Sequence, residues 1–220
     1  MCDNDQQLHP IADNSMPMSL IALAAASSFA LPQADMRMAE YFESHAPKSV
    51  EREGRWAAAD VEVFVDPKGR VLECAVKRVV GDSDLAQTMC SLSVGQRMTS
   101  PRDFGGKPVH GLGRTVFGIA PDSQPNPYRK LGMPENERLE IAADQLPVDA
   151  SASTQPFDLR LVINELGAVN ACQPAVKVSA PVESISCQLA SSLTFPRKLS
   201  KDGRPVKYVR SYLAEVVTKK

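Results

Sequence analysis

The sequence predicts an α+β fold of two tandem β-β-α-β units, each a small antiparallel sheet packed on one helix. Three observations do so. The stretch Asp66-Pro67-Lys68-Gly69-Arg70-Val71-Leu72-Glu73-Cys74 returns 98 positions later, counted from Cys74 to Cys172, as Asn164-Glu165-Leu166-Gly167-Ala168-Val169-Asn170-Ala171-Cys172. Before each copy the apolar residues alternate in the same phase, Val61, Val63 and Val65 in the first and Leu159, Leu161 and Ile163 in the second, which is the period of a strand. After each copy comes a second cysteine, Cys90 or Cys187, then a matching exit: Pro101-Arg102 with Gly106-Lys107-Pro108-Val109, and Pro196-Arg197 with Gly203-Arg204-Pro205-Val206. A repeat of this kind decides architecture ahead of any single motif.

The chain divides into a leader (1–30), an N-terminal extension (31–55), a first unit (56–120), a linker (121–137) and a second unit (138–220). Residues 1–15 hold Asp3, Asp5 and Asp13 and no Lys or Arg, unlike a secretory n-region. The run from Met16 to Ala30 is apolar, too short to span a bilayer of ~30 Å, and ends in Ser28-Phe29-Ala30, the small-residue pattern of signal-peptide cleavage. A start at Met16 or Met18 would remove the acidic leader. The expected mature chain therefore begins at Leu31 and is periplasmic, with a buried helix or a short membrane anchor as the alternatives.

Residues 36–47 read as a short helix, with Met36, Met38, Ala39, Tyr41 and Phe42 partly on one face. Ala57 to Val65 is the first strand, and Asp66-Pro67-Lys68-Gly69 turns it back into a second, Val71 to Val80. Asp82 or Ser83 then opens a helix whose apolar face is Leu85, Met89 and Leu92, ending before Pro101. Lys107 to Ile119 is the third strand, placed antiparallel beside the first, so the order is two-one-three. Pro121, Pro125, Pro127 and Pro134 mark the linker, and Arg138 to Asp144 alternates as an extra strand. In the second unit the strands are Phe157 to Ile163, Val169 to Val178 and Pro205 to Val217. Pro174 fits only an edge strand, and Pro181 suits a first helical turn. Val182, Ile185 and Leu189 form that helix's apolar face.

Composition excludes little but orders the rest. With 43% hydrophobic and 23% charged residues the chain is ordinary globular protein, and at a net charge of −1 it has no basic stripe for a nucleic acid. A unit of roughly 60 residues buries too little surface to be robust alone, so a crosslink would help it. Four of the five cysteines sit at matching places, Cys74 and Cys172 on second strands and Cys90 and Cys187 in helices, which predicts the disulfides Cys74–Cys90 and Cys172–Cys187. Closing a loop of ~16 residues is worth ~3 kcal/mol in the chain-entropy model. Zinc would want closely spaced cysteine pairs and usually histidine, and the histidines are His9, His45 and His110; independent buried thiols are the plainer alternative. Cys2 has no mate. No catalytic constellation, metal or cofactor site is expected: Asp66 and Asn164 belong to turns, Asp103 and Asp202 to loops, and Arg102 and Arg197 to helix exits.

With the turn Asp66-Pro67-Lys68-Gly69, the exit Phe195-Pro196-Arg197 and Gly203-Arg204-Pro205-Val206, the repeat resembles the TonB C-terminal domain family over about residues 56–120 and 150–217. The likeness extends to family variants that carry one cysteine on the second strand and one in the helix. It implies a periplasmic module that binds an outer-membrane receptor by adding the receptor's short N-terminal segment to an open third strand. A TonB transducer also carries a membrane-spanning helix and a long proline-rich spacer, and neither reads in this sequence, so energy coupling is not implied. The expected partner is an extended peptide or receptor segment, added at the final strand through Val206, Tyr208, Val209, Arg210, Ser211 and Tyr212, with Tyr208 and Tyr212 gripping its side chains. The alternative is a disulfide-stapled secreted scaffold whose units pair edge to edge, or dimerise, and leave no edge free.

Overall fold

A computed structural model describes residues 30–34, 36–121, 131, 138–146 and 155–217. The leader through residue 29, the linker residues 122–130 and 132–137, and the end of the chain from residue 218 lie outside the described residues. The fold is mixed α+β, with one large sheet and few helices. Its elements are α1 (Met36–Ser44), α2 (Ser49–Glu53), β1 (Ala57–Val65), β2 (Val71–Gly81), α3 (Ser83–Ser93), β3 (His110–Ile119), β4 (Arg138–Ala142), β5 (Phe157–Ile163), β6 (Val169–Pro174), α4 (Ala180–Ser191), β7 (Lys198–Leu199), β8 (Pro205–Val206) and β9 (Tyr208–Val217).

Both hairpins turn by the same chemistry. Asp66 Oδ1 accepts from the N–H groups of Lys68 and Arg70, both at 2.8 Å, and Asn164 Oδ1 accepts from Leu166 and Ala168, both at 3.0 Å. Gly69 and Gly167 take φ of 83° and 88°, and a Cβ at either would strike a carbonyl oxygen, that of Met98 or of Phe195. Those same residues close the strand behind the turn, Met98 N–H donating to Gly69 O at 2.7 Å and Phe195 N–H to Gly167 O at 2.8 Å. Asp82 caps α3, accepting from Asp84 and Leu85 at 3.0 Å, and Pro181 lies in the first turn of α4.

The seven-stranded sheet runs β2-β1-β3-β9-β5-β6, with β4 also on β9. Within each half the order is two-one-three, and β6 with Pro174 is an edge. The halves do not build separate sheets. β3 and β9 pair in parallel, His110 to Leu112 against Tyr208 to Arg210, and β4 pairs in parallel with the rest of β9, Arg138 to Ala142 against Leu213 to Val217.

Across the parallel pairing of β3 with β9, α3 and α4 lie on opposite faces of the sheet. Alternation along the strands confirms this: α3 covers Val61, Val63 and Val65, whereas α4 covers Leu159, Leu161 and Ile163 together with Phe64 and Leu112 of the first half. On α3's side, Val162 and Val209 of the second half pack with Val109, Phe104 and Leu31 of the first. Each half therefore covers part of the other's second face.

Several boundaries differ from the sequence reading. The helix expected over 36–47 is α1 and stops at Ser44, and a further short helix, α2, follows at Ser49–Glu53. The second strand of the second half stops at Pro174, and the final strand starts at Tyr208, because Pro205–Val206 turn aside to pair with Lys198–Leu199. Ala30 exchanges both backbone hydrogen bonds with Arg102, at 3.0 and 2.9 Å. Pro32 packs under Gly111 and Gly113, where a Cβ would meet it within 3.0 Å. Among the described residues no helix is long and apolar enough to cross a membrane.

Candidate partner-binding site

The final strand is not the open edge that the sequence suggested. β9 has β5 along one side, and along the other β3 faces Tyr208 to Arg210 while β4 faces Leu213 to Val217. Only Ser211 and Tyr212 fall between those two partners. In a unit standing alone the order two-one-three leaves its third strand one neighbour, but here β3 and β4 fill the other side of β9.

Each expected contact residue is accordingly engaged within the chain. Val206 pairs with Lys198 in the small ribbon. Tyr208 is fully buried, its hydroxyl donating to Pro196 O at 3.0 Å and its ring edge-on to Phe64 at 6.1 Å. Val209 is fully buried between the halves. Arg210 lies over the rings of Phe195 at 4.5 Å and Tyr212 at 5.4 Å. Ser211 Oγ donates to Asp158 Oδ1 at 3.0 Å. Tyr212 packs edge-on to Phe195 at 5.6 Å.

Alternation places Tyr208, Arg210 and Tyr212 on one face, and that face opens into a groove of about 250 Å3 at the seam. Its other walls are Glu62, Lys77 and Leu112 of the first half and the Leu193–Lys198 segment of the second. Lys77 Nζ reaches Glu62 at 3.1 Å; Lys198 Nζ reaches Glu73 at 2.8 Å and lies 5.2 Å from the centre of the Phe64 ring. The sequence reading missed Glu62, Lys77 and Lys198. A signal existed: the second copy has two more residues between its Pro-Arg exit and its glycine than the first, Pro196 to Gly203 against Pro101 to Gly106, and the insertion holds Lys198.

A second, wider cleft of about 550 Å3 lies between the Asp66 turn and the β7–β8 ribbon, with His110 in its wall. His110 stacks on Phe64 at 5.4 Å, and burial draws its pKa below the usual imidazole value against the opposing pull of Asp66 and Asp202. The ribbon's own carboxylate, Asp202, is paired with Arg204.

Both disulfides are present, Cys74–Cys90 joining β2 to α3 and Cys172–Cys187 joining β6 to α4, each with Cα atoms 5.5 Å apart. Bonds of this kind persist in oxidising, exported environments. Among the described residues no group of three His, Cys, Asp or Glu side chains is placed to hold a metal. Comparison with family models, curated proteins and solved structures returns no match for this chain.

Proposed function

We propose that the chain is an exported, non-enzymatic binding scaffold of two β-β-α-β units similar to the TonB C-terminal domain, stapled by disulfides and without a transport role. The observation that carries this reading is the parallel seam. The strand to which a receptor segment would add is flanked on both sides, and an incoming strand would have to displace three residue pairs with β3 and five with β4. The shared β-β-α-β order, the shared side-chain turn at Asp66 and Asn164, and the like-placed disulfides support kinship of the two units. An oxidising compartment such as the periplasm suits the crosslinks.

Amide exchange tests it. Residues 208–210 and 213–217 are expected to be strongly protected in the free protein, and protection across 208–217 is expected to be unchanged by an extended peptide with the sequence of a receptor's N-terminal segment. New protection at Ser211 and Tyr212 together with deprotection of His110 to Leu112 would restore strand addition at the third strand and overturn the scaffold reading.

A second reading has its own support. β2 is eleven residues long and forms one edge of the sheet; beyond Val71, which bonds to Gly95 and Gln96, no strand flanks its outer side among the described residues. Strand addition there would show as peptide-dependent protection over Glu73 to Val79 in the same experiment.

A further inference from the structure

The cleft between the Asp66 turn and the β7–β8 ribbon is built by both halves, one lip being the hairpin turn of the first and the other the ribbon of the second. Its volume of about 550 Å3 falls in the range of small-ligand sites. We propose that it binds a phosphate monoester on a short apolar stem, the phosphate held between Lys68 and Lys201 with His110 as a third donor. The inference stands apart from export and from the relation to any family.

The donors are the first argument. Lys68 on one lip and Lys201 on the other line the cleft, and among the described residues neither side chain makes an ion pair or a hydrogen bond. The carboxylates beside them are engaged elsewhere. Arg204 Nε donates to Asp202 Oδ2 at 2.7 Å and Arg204 Nη2 donates to the same oxygen, while Asp66 Oδ1 accepts from the N–H groups of Lys68 and Arg70 in its own turn, both at 2.8 Å.

The kind of donor then selects the kind of anion. A planar carboxylate is best met by a guanidinium fork, and the one guanidinium among the lining residues, that of Arg204, spends its fork on Asp202. Ammonium groups are compact point charges, and two of them on opposite lips suit the three oxygens of a tetrahedral phosphate. Charge agrees. Lys68, Lys201 and Arg204 against Asp66 and Asp202 leave one positive charge. A second comes from His110, whose ring nitrogens make no hydrogen bond among the described residues and whose pKa is lowered by burial against the pull of Asp66 and Asp202. Beside a dianion the imidazole gains a proton, so a bound phosphate raises that pKa and meets two positive charges with two negative ones. Pro67, Leu72, Pro205 and Val206 supply the apolar surface for the stem.

The test is an NMR titration of the full chain near neutral pH with phenyl phosphate, acetyl-phosphotyrosine amide, inorganic phosphate, phenyl sulfate and benzoate. Saturable shifts at the Lys68, His110 and Lys201 amides are expected with both phosphate esters. Inorganic phosphate, which lacks the stem, and the two monoanions should bind more weakly. Tighter binding of the phosphotyrosine compound assigns the stem to a phosphorylated side chain, and tighter binding of phenyl phosphate assigns it to a small molecule. The His110 ring should titrate at higher pH in the saturated protein. Lys68→Gln and Lys201→Gln, both at exposed positions, should each weaken binding about fivefold, the loss of one charge-assisted contact. No saturable shift with either ester, undiminished binding in both variants, a His110 pKa unmoved by saturation, or inorganic phosphate, phenyl sulfate or benzoate binding as tightly as the esters would overturn the proposal.

Discussion

Asp103, in the loop before β3, accepts a hydrogen bond from Lys207 Nζ at 3.1 Å and so ties the first half to the start of the second half's final strand. Its other oxygen accepts from the N–H groups of Gly105 and Lys107, at 3.1 and 3.0 Å, and holds its own turn. Burial pushes this carboxyl up, but Lys207 and the two N–H groups prevail and its pKa lies below the usual value. Lys198 reaches the other way, from the second half to Glu73 of the first. Each half thus grips the other through the segment that precedes its third strand.

Asp103→Ala should therefore destabilise the protein by about 1–2 kcal/mol, the loss of a partly buried pair and of a turn acceptor together. Asp103→Asn keeps the acceptor and should lose less. Urea unfolding of both variants measures the difference, and an Asp103→Asn variant as stable as the parent would show that the ion pair with Lys207 contributes nothing.

Val209→Pro tests the seam. Val209 is fully buried, with Val162 of β5 on one side and Gly111 of β3 on the other. Proline in an interior strand removes a ladder hydrogen bond and clashes with its neighbours, at about 3 kcal/mol or more, so this variant should melt far below the parent or fail to fold. A variant that melts with the parent would mean that β9 is not held between β5 and β3 in solution.

Removal of either disulfide by the double change Cys172→Ser with Cys187→Ser, or Cys74→Ser with Cys90→Ser, should lower stability by roughly 2–5 kcal/mol. Thermal melts give the loss. Alkylation of the native protein without reductant should leave all four of these cysteines unmodified; labelling at any of them would remove the crosslink from the account.

Acid should loosen the start of α3. Arg55 Nε donates to Asp82 at 2.5 Å and the N–H groups of Leu85 and Asp84 donate to its other oxygen, which lowers its pKa to about 2 from an ordinary 3.8. A carboxyl held down in the folded state contributes stability above its unfolded pKa, and that contribution drains away as pH falls from 3.8 towards about 2. Asp82→Asn should flatten the dependence of stability on pH within that window, measured by denaturant midpoints at several acid pH values. An unchanged slope would show that Asp82 is not the group responsible.

Much of the fold was legible in the residues themselves. Asp66 and Asn164, with glycine three positions on, dictate the two hairpin turns because an accepting side chain and a left-handed glycine act over five residues of chain. Alternation of Val61, Val63 and Val65 marks the buried face of β1, the cap at Asp82 opens α3, and the matched cysteines name their own partners. These are local signals, or signals doubled by the repeat. The neighbours of β9 were decided only by the tertiary structure. Period-two alternation tells which face of a strand is covered, but the groups that choose a neighbour are backbone N–H and C=O, the same at every residue. Three pairs at His110 to Leu112 and five at Arg138 to Ala142 claimed those groups on β9, and with them they turned an expected open edge into the floor of a charged groove around Arg210.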